Sequence, residues 1–206
     1  LVLVPTAQAR DWLVPTQAPT IQAAVDSAIS GDVVVLAPGT YDDCTNLNSN
    51  NVAHIAILRN GITLRGETGN PDHVILDAGW QGRCLEMRGF ADTTRITGVT
   101  FRRGKASNPF GSGGGVFAYD AKPYFKDCVF DSCSAEFAGG GINVLAGELT
   151  VENCVFTDCG TDNIGAGIRV STSPIAITSS TFFRSRAPAL QYANEAPVIR
   201  QTIFTG

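Results

Sequence analysis

Five phenylalanines recur in one tripeptide frame: Val-Thr-Phe101, Cys-Val-Phe130, Cys-Val-Phe156, Ser-Thr-Phe182 and Thr-Ile-Phe204, at separations of 29, 26, 26 and 22 residues. A second marker keeps step with the first. Gly-Gly-Val116, Gly-Gly-Ile142, Ala-Gly-Ile168 and Pro-Ala-Leu190 follow at 26, 26 and 22. Two markers holding one period identify stacked repeats, because each unit alone cannot bury its apolar side. A period of 22–29 residues with alternating strand patterns and no helical pattern narrows the choice to a β-solenoid.

One repeat resolves into three short strands. Leu149 and Val151 alternate inward, Glu152-Asn153 turn the chain, and Cys154 and Phe156 alternate inward again. Thr157 to Ala166 form a longer polar loop before Ile168 and Val170 make the third strand. The residue at the bend before the Phe strand is Gly98, Asp127, Asn153, Ser179 or Gln201, most of them types that suit a sharp bend. Stacking the coils predicts ladders of Phe130/Phe156/Phe182, of Val116/Ile142/Ile168/Leu190 and of Cys128/Cys154. Less regular coils are expected earlier, at Ile55–Leu58, Ile62–Leu64, Val74–Leu76 and Leu85–Met87. Ahead of them Ile21, Ala24, Val25 and Ala28 fall on one helical face, with Thr20 as N-cap and Gly31 as stop. A helix of about ten residues there suits the open end of the stack, where unpaired strand edges need cover. Gly113–Gly115 and Gly139–Gly141 recur with the repeat and are read as structural.

Composition limits what such a solenoid does. The chain is 44% hydrophobic and 17% charged, with 15 basic against 19 acidic residues and a net charge of −4. No basic cluster of a nucleic-acid binder is visible, and no apolar run is long enough to span a membrane. Ala7-Gln8-Ala9 follows a short apolar stretch, so residues 1–9 are expected to be the remnant of a secretory signal peptide. Residues 10–206 then form a single β-helix domain in an extracytoplasmic compartment. The last residues stop within a repeat, and a longer protein is expected.

The segments Thr20-Ile-Gln-Ala-Ala-Val-Asp-Ser-Ala, Gly31-Asp-Val-Val-Val-Leu-Ala-Pro-Gly-Thr-Tyr41 and Gly61-Ile-Thr-Leu-Arg-Gly66 resemble the opening of pectin-lyase-like proteins. The Gly139-Gly-Gly-Ile142 motif, alternating with the Phe marker, resembles repeats of bacterial surface β-helix proteins. The resemblance implies an all-β fold, a right-handed parallel β-helix with three strands per coil and an N-terminal capping helix. It also implies ligand binding along the outer face of the strand after the long loop. On this chain that row is Glu86, Phe117, Tyr119, Asn143, Arg169 and Gln191, types suited to sugar hydroxyls and CH faces.

Six cysteines are present. Cys128/Cys154 and Cys133/Cys159 are each 26 residues apart, one coil, and so should be neighbours on adjacent rungs. Two readings stay open: bridges, with Cys44–Cys84 as a further candidate, or stacked thiols packed as small apolar groups. No complete catalytic constellation is visible. A lyase needs a base, for which Arg169 is available, together with a neutraliser of the substrate carboxylate, yet no acidic triplet at coil spacing would hold Ca2+. Asp131 and Asp158 fall on the loop side, and the adjacent Asp42 and Asp43 point opposite ways. His54 and His73 are isolated and expected at the surface or in loops, and no metal site or cofactor is predicted. The expected function is a secreted or surface module, structural, adhesin-like or binding a polysaccharide. A polysaccharide lyase or glycoside hydrolase is the alternative, with Ca2+ only in the lyase case.

Overall fold

The computed structural model describes residues 8–48, 50, 52–58, 61–89, 92–107, 111–172, 174–193 and 196–205. Most of the expected signal remnant, residues 1–7, lies outside them. The chain winds as a parallel β-solenoid with three faces. Face one holds Ala53–Leu58, Arg83–Arg88, residues 116–119 of the long strand Val116–Lys126, Ile142–Gly147, Ile168–Ser171 and Leu190–Tyr192. Face two runs from Asp11–Val14 and Val33–Leu36 through Thr63–Gly66, Thr93–Thr97, residues 122–126, Leu149–Glu152 and Ile175–Thr178 to Val198–Arg200. Face three is a seven-stranded sheet from Gly39–Tyr41 to Ile203–Thr205. Among the described residues, one strand pair is antiparallel, Asn46–Leu47 against Ala53–Leu58.

The interior is a set of columns. Phe101, Phe130, Phe156, Phe182 and Phe204 occupy one register position on face three. Their rings stack at centroid distances of 4.7, 4.6, 4.5 and 4.8 Å, the rise of one rung. Phe125 of face two meets Phe101 and Phe130 edge-on at 5.9 and 5.4 Å. The second column, Val116/Ile142/Ile168/Leu190, forms as expected and is extended by Leu85.

From Gly98 onward the rungs turn their corners through left-handed backbone. Gly98, Asp127, Asn153, Ser179 and Gln201 have φ of 63°, 53°, 50°, 50° and 47°, so the bend expected from these residue types is there. A second set, Arg103, Ser132, Asp158 and Arg184 at 50–54°, follows the Phe strand, and Asp120, Ala146 and Thr172 at 53–60° join faces one and two. From Val116 onward the count from the face-one column residue to the next Phe (Val116 to Phe130, Ile142 to Phe156, Ile168 to Phe182, Leu190 to Phe204) is constant at 14, against 16 from Leu85 to Phe101. Among these later repeats the variation in length therefore lies between the Phe strand and the return to face one. That segment is not wholly loop: Lys105–Ala106, Ser134–Ala135 and Gly160–Thr161 form a small parallel sheet of their own.

The helix is shorter than expected, Ile21–Ser27, with the Thr20 hydroxyl accepting from Ala23 N. It stops early because buried Asp32 draws the following chain away: its carboxylate accepts from Ile29 N, Arg10 N and Trp12 Nε1 at 2.9–3.0 Å. Ile21, Ala24 and Val25 are buried against the first coil. Gln22 caps the first strand of face one, accepting from Ile57 N at 2.7 Å and donating to Ile57 O at 3.4 Å. A side-chain amide thus stands where a neighbouring strand would pair.

Candidate functional site

The expected outward row exists as a register ladder. Glu86, Phe117, Asn143, Arg169 and Gln191 occupy one position on successive face-one strands, with Tyr119 two residues along from Phe117. Exposure divides it. Glu86 and Asn143, expected to be available to a ligand, are 1% and 0% exposed, whereas Tyr119 is 46% exposed. The loop carrying Asn48 closes over Glu86. Asn143 lies under the Gly139 turn and Arg169, whose Nη1 donates to its Oδ1 at 3.4 Å. Among the described residues Nδ2 of Asn143 has no partner.

At the upper end of the row the chain gathers charges that sequence reasoning did not join. His54 is no surface residue. It lies fully buried on Ala53–Leu58, directly above Arg83 in register. Its Nε2 lies 2.9 Å from Glu86 Oε2, and its Nδ1 faces Asn46 O at 3.3 Å. Glu86 also accepts from Arg88 Nε at 2.5 Å and Asn48 Nδ2 at 2.7 Å. Burial pushes its carboxyl up, but the hydrogen bonds from His54, Arg88 and Asn48 outweigh that and hold it at about 2. Arg83 is 2% exposed, and burial draws its guanidinium down to about 10. Its Nε donates to Ser112 O at 3.0 Å, and its guanidinium sits 5.0 Å from the Phe117 ring centroid. Arg88 reaches over Tyr119 at 5.9 Å. Asn48, Arg83, Glu86, Arg88, Phe117 and Tyr119 line a cleft of about 220 Å³, with His54 buried behind it. His73, by contrast, is exposed as expected, hydrogen-bonded to Thr68 Oγ1 at 3.0 Å.

One carboxylate lines the cleft, already ionised and shared among three partners, so it is poorly placed to give up a proton. Two carboxyls astride a glycosidic bond, as hydrolysis requires, are not found among the described lining residues. What the cleft offers is aromatic surface beside fixed cations. A family model described as the right handed beta helix region matches residues 39–206. The chain belongs to the right-handed β-helix family. No curated protein and no solved structure matches it.

In this right-handed β-helix the six cysteines are buried free thiols, so none of the expected bridges is formed in the structure. Each Sγ donates instead to a backbone carbonyl: Cys44 to Arg83 O, Cys84 to Leu76 O, Cys128 to Lys126 O, Cys133 to Phe101 O, Cys154 to Glu152 O and Cys159 to Phe130 O, at 3.2–3.6 Å. Cys128 and Cys154 do neighbour one another on adjacent coils of the β-helix, as do Cys133 and Cys159, and Cys84 lies next to Cys133 on its other side from Cys159.

The sequence carried one unused signal for the missed residues. His54 to Arg83 and Ile57 to Glu86 are each 29 apart, the separation of Phe101 and Phe130, which would have placed His54 one coil above Arg83.

Proposed function

We propose that this β-helix is a noncatalytic, extracytoplasmic glycan-binding module, its face-one cleft meeting carbohydrate. The observation that carries the reading is the Phe117–Tyr119 pair, each ring backed by an arginine and the Tyr ring open to solvent. Sugars offer CH faces to such rings and hydroxyls to the surrounding amides and guanidinium groups. Arg83 and Arg88 against Glu86 leave a cationic surplus, which favours glycans bearing carboxylates. The Ala7-Gln8-Ala9 pattern supports the compartment. The alternative, a lyase or hydrolase, draws support from the family resemblance, but Glu86, the one carboxylate among the described lining residues, is paired before any substrate arrives.

The test is an array of pectin, alginate and glycosaminoglycan fragments probed with wild type and Tyr119→Ala. Binding by wild type, reduced at least tenfold in the variant, with no new unsaturated or reducing ends in solution, supports the module. Release of such ends would replace it with the enzyme, and absence of wild-type binding would remove the cleft from consideration.

A further inference from the structure

A second concavity lies away from face one, at the corner where the Phe strand turns into the small sheet. It is a groove of about 370 Å³, larger than the face-one cleft, lined by Trp80, Lys105, Ser134, Glu136, Asp162 and Arg186 among others. We propose that this groove binds a neutral oligosaccharide, with Trp80 as its stacking platform.

The groove runs along the solenoid axis. Lys105, Ser134 and Gly160 share one register position on successive rungs. Arg186 follows on the next, its N donating to Cys159 O and its side chain lying over Gly160. Three rungs of ~4.8 Å separate Lys105 from Arg186, so the floor is about 14 Å long. Between the two cations it is paved with small residues, Ser134, Ala135 and Gly160. An extended ligand, not a compact one, fits that shape.

Trp80 is the unusual residue. Its indole is 45% exposed and its backbone is left-handed at φ 65°. Both features are unfavourable for a bulky aromatic, and such outliers concentrate at functional sites. The conformation is held by a rigid base. Trp80 N donates to Arg103 O at 2.8 Å and Gly79 N to Asp77 Oδ1 at 3.0 Å. Asp77 is 2% exposed and gripped by both Arg102 and Arg103. The backbone that carries the ring is therefore held while the side chain stands open to solvent, a base from which an aromatic face can meet a ligand.

The charges select the ligand class. Lys105 and Arg186 balance Glu136 and Asp162, and Asp158 is taken by Arg184 Nη2 at 2.5 Å. With no surplus of either sign, the groove favours neither a polyanion nor a polycation. Donors and acceptors both line the elongated floor, with Lys105 and Arg186 at its ends and Glu136 and Asp162 on the rungs between, beside one aromatic side chain. A neutral sugar chain has hydroxyls for both and a CH face for the ring. Face one and this groove would then recognise different glycans, and one β-helix would hold two polymers at once.

The test reads tryptophan emission of the whole chain, which holds two tryptophans, Trp12 and Trp80. The probes are cellohexaose, xylohexaose, mannohexaose and chitohexaose, with hexagalacturonate as the acidic comparison. At least one neutral hexasaccharide is expected to give a saturable shift that survives Tyr119→Ala and disappears in Trp80→Gly. The glycine variant should melt no lower than wild type, because glycine relieves the left-handed backbone. No shift with any neutral probe, a shift persisting in Trp80→Gly, or equal binding of hexagalacturonate would overturn the proposal. So would a Trp80→Gly chain that melts well below wild type, since the ring would then be packing the fold. Loss of face-one binding in Tyr119→Ala leaves this readout untouched, so the two sites succeed or fail separately.

Discussion

Replacing Phe156 by alanine interrupts the phenylalanine column at its centre. The ring is fully buried, stacked at 4.6 Å on Phe130 and 4.5 Å on Phe182, with interplanar angles of 1° and 5°. Gly141 closes over it so tightly that an added Cβ would sit 3.0 Å from its Cδ1. Neighbours held in backbone ladders on both sides cannot collapse into the space, so the cost falls at the upper end of the Phe→Ala range, about 5 kcal/mol. Phe204 provides the comparison. It is 46% exposed and has one ring neighbour, at 4.8 Å, so its removal costs about 1–2 kcal/mol. Urea unfolding followed by circular dichroism reads both. With a slope near 3 kcal/mol/M, the midpoint should fall by about 1.6 M for Phe156→Ala and about 0.5 M for Phe204→Ala. Equal falls would mean that stability does not reside in the columns, and the rung-by-rung account of the interior would be wrong.

Three further outcomes follow from the same geometry. Glu86 is held at about 2 in the folded chain against an ordinary 4.5, so its contribution is complete above pH 4.5 and drains away as pH falls toward 2. Wild type should exceed Glu86→Gln by roughly 3 kcal/mol at neutral pH, and thermal melts should show the gap closing through that window; a constant gap would deny that the carboxylate is ionised in its buried pairing. Gly114→Ala should destabilise by about 3 kcal/mol or prevent folding, because the new Cβ would overlap the Ser134 carbonyl oxygen of the next rung, whereas Gly69→Ala, with nothing within 4 Å, should cost about 1–2 kcal/mol for its left-handed backbone alone. The buried thiols should resist an aromatic disulfide reagent in the native chain, Cys44 being pushed by burial to about 11, and all six should titrate in denaturant without reductant; fewer than six would reveal oxidation within the Cys128–Cys154 or Cys133–Cys159 columns.

The columns were legible because one interaction repeats. A Phe at a fixed place in each coil announces itself by spacing, and Asn153 or Gly98 announces a bend by its tolerance of positive φ. The second corner was not legible, since Arg103 and Arg184 share the left-handed conformation of Ser132 and Asp158 but carry no turn-forming chemistry to mark the position. Helix length was misjudged because its end is set by Asp32 gathering amides from both sides, a tertiary effect invisible in apolar periodicity. The candidate site was half readable. Phe117 and Tyr119 follow from the ladder, but the burial of Glu86 and His54 depends on an irregular segment around Asn46 and Asn48 that folds back antiparallel, outside any repeat. Trp80 carries no periodic partner, so nothing in the pattern singled it out.

From Val116 onward, the constant count of 14 residues from the face-one column to the next Phe, beside a return segment of changing length, divides each repeat into a fixed frame and an editable margin. Duplication of a rung preserves the frame, because only the frame must mesh with its neighbours. Insertions and deletions in the margin leave that mesh untouched while remodelling the wall where Lys105, Glu136, Asp162 and Arg186 stand. A chain built this way can change the shape and charge of one edge without disturbing the columns behind it.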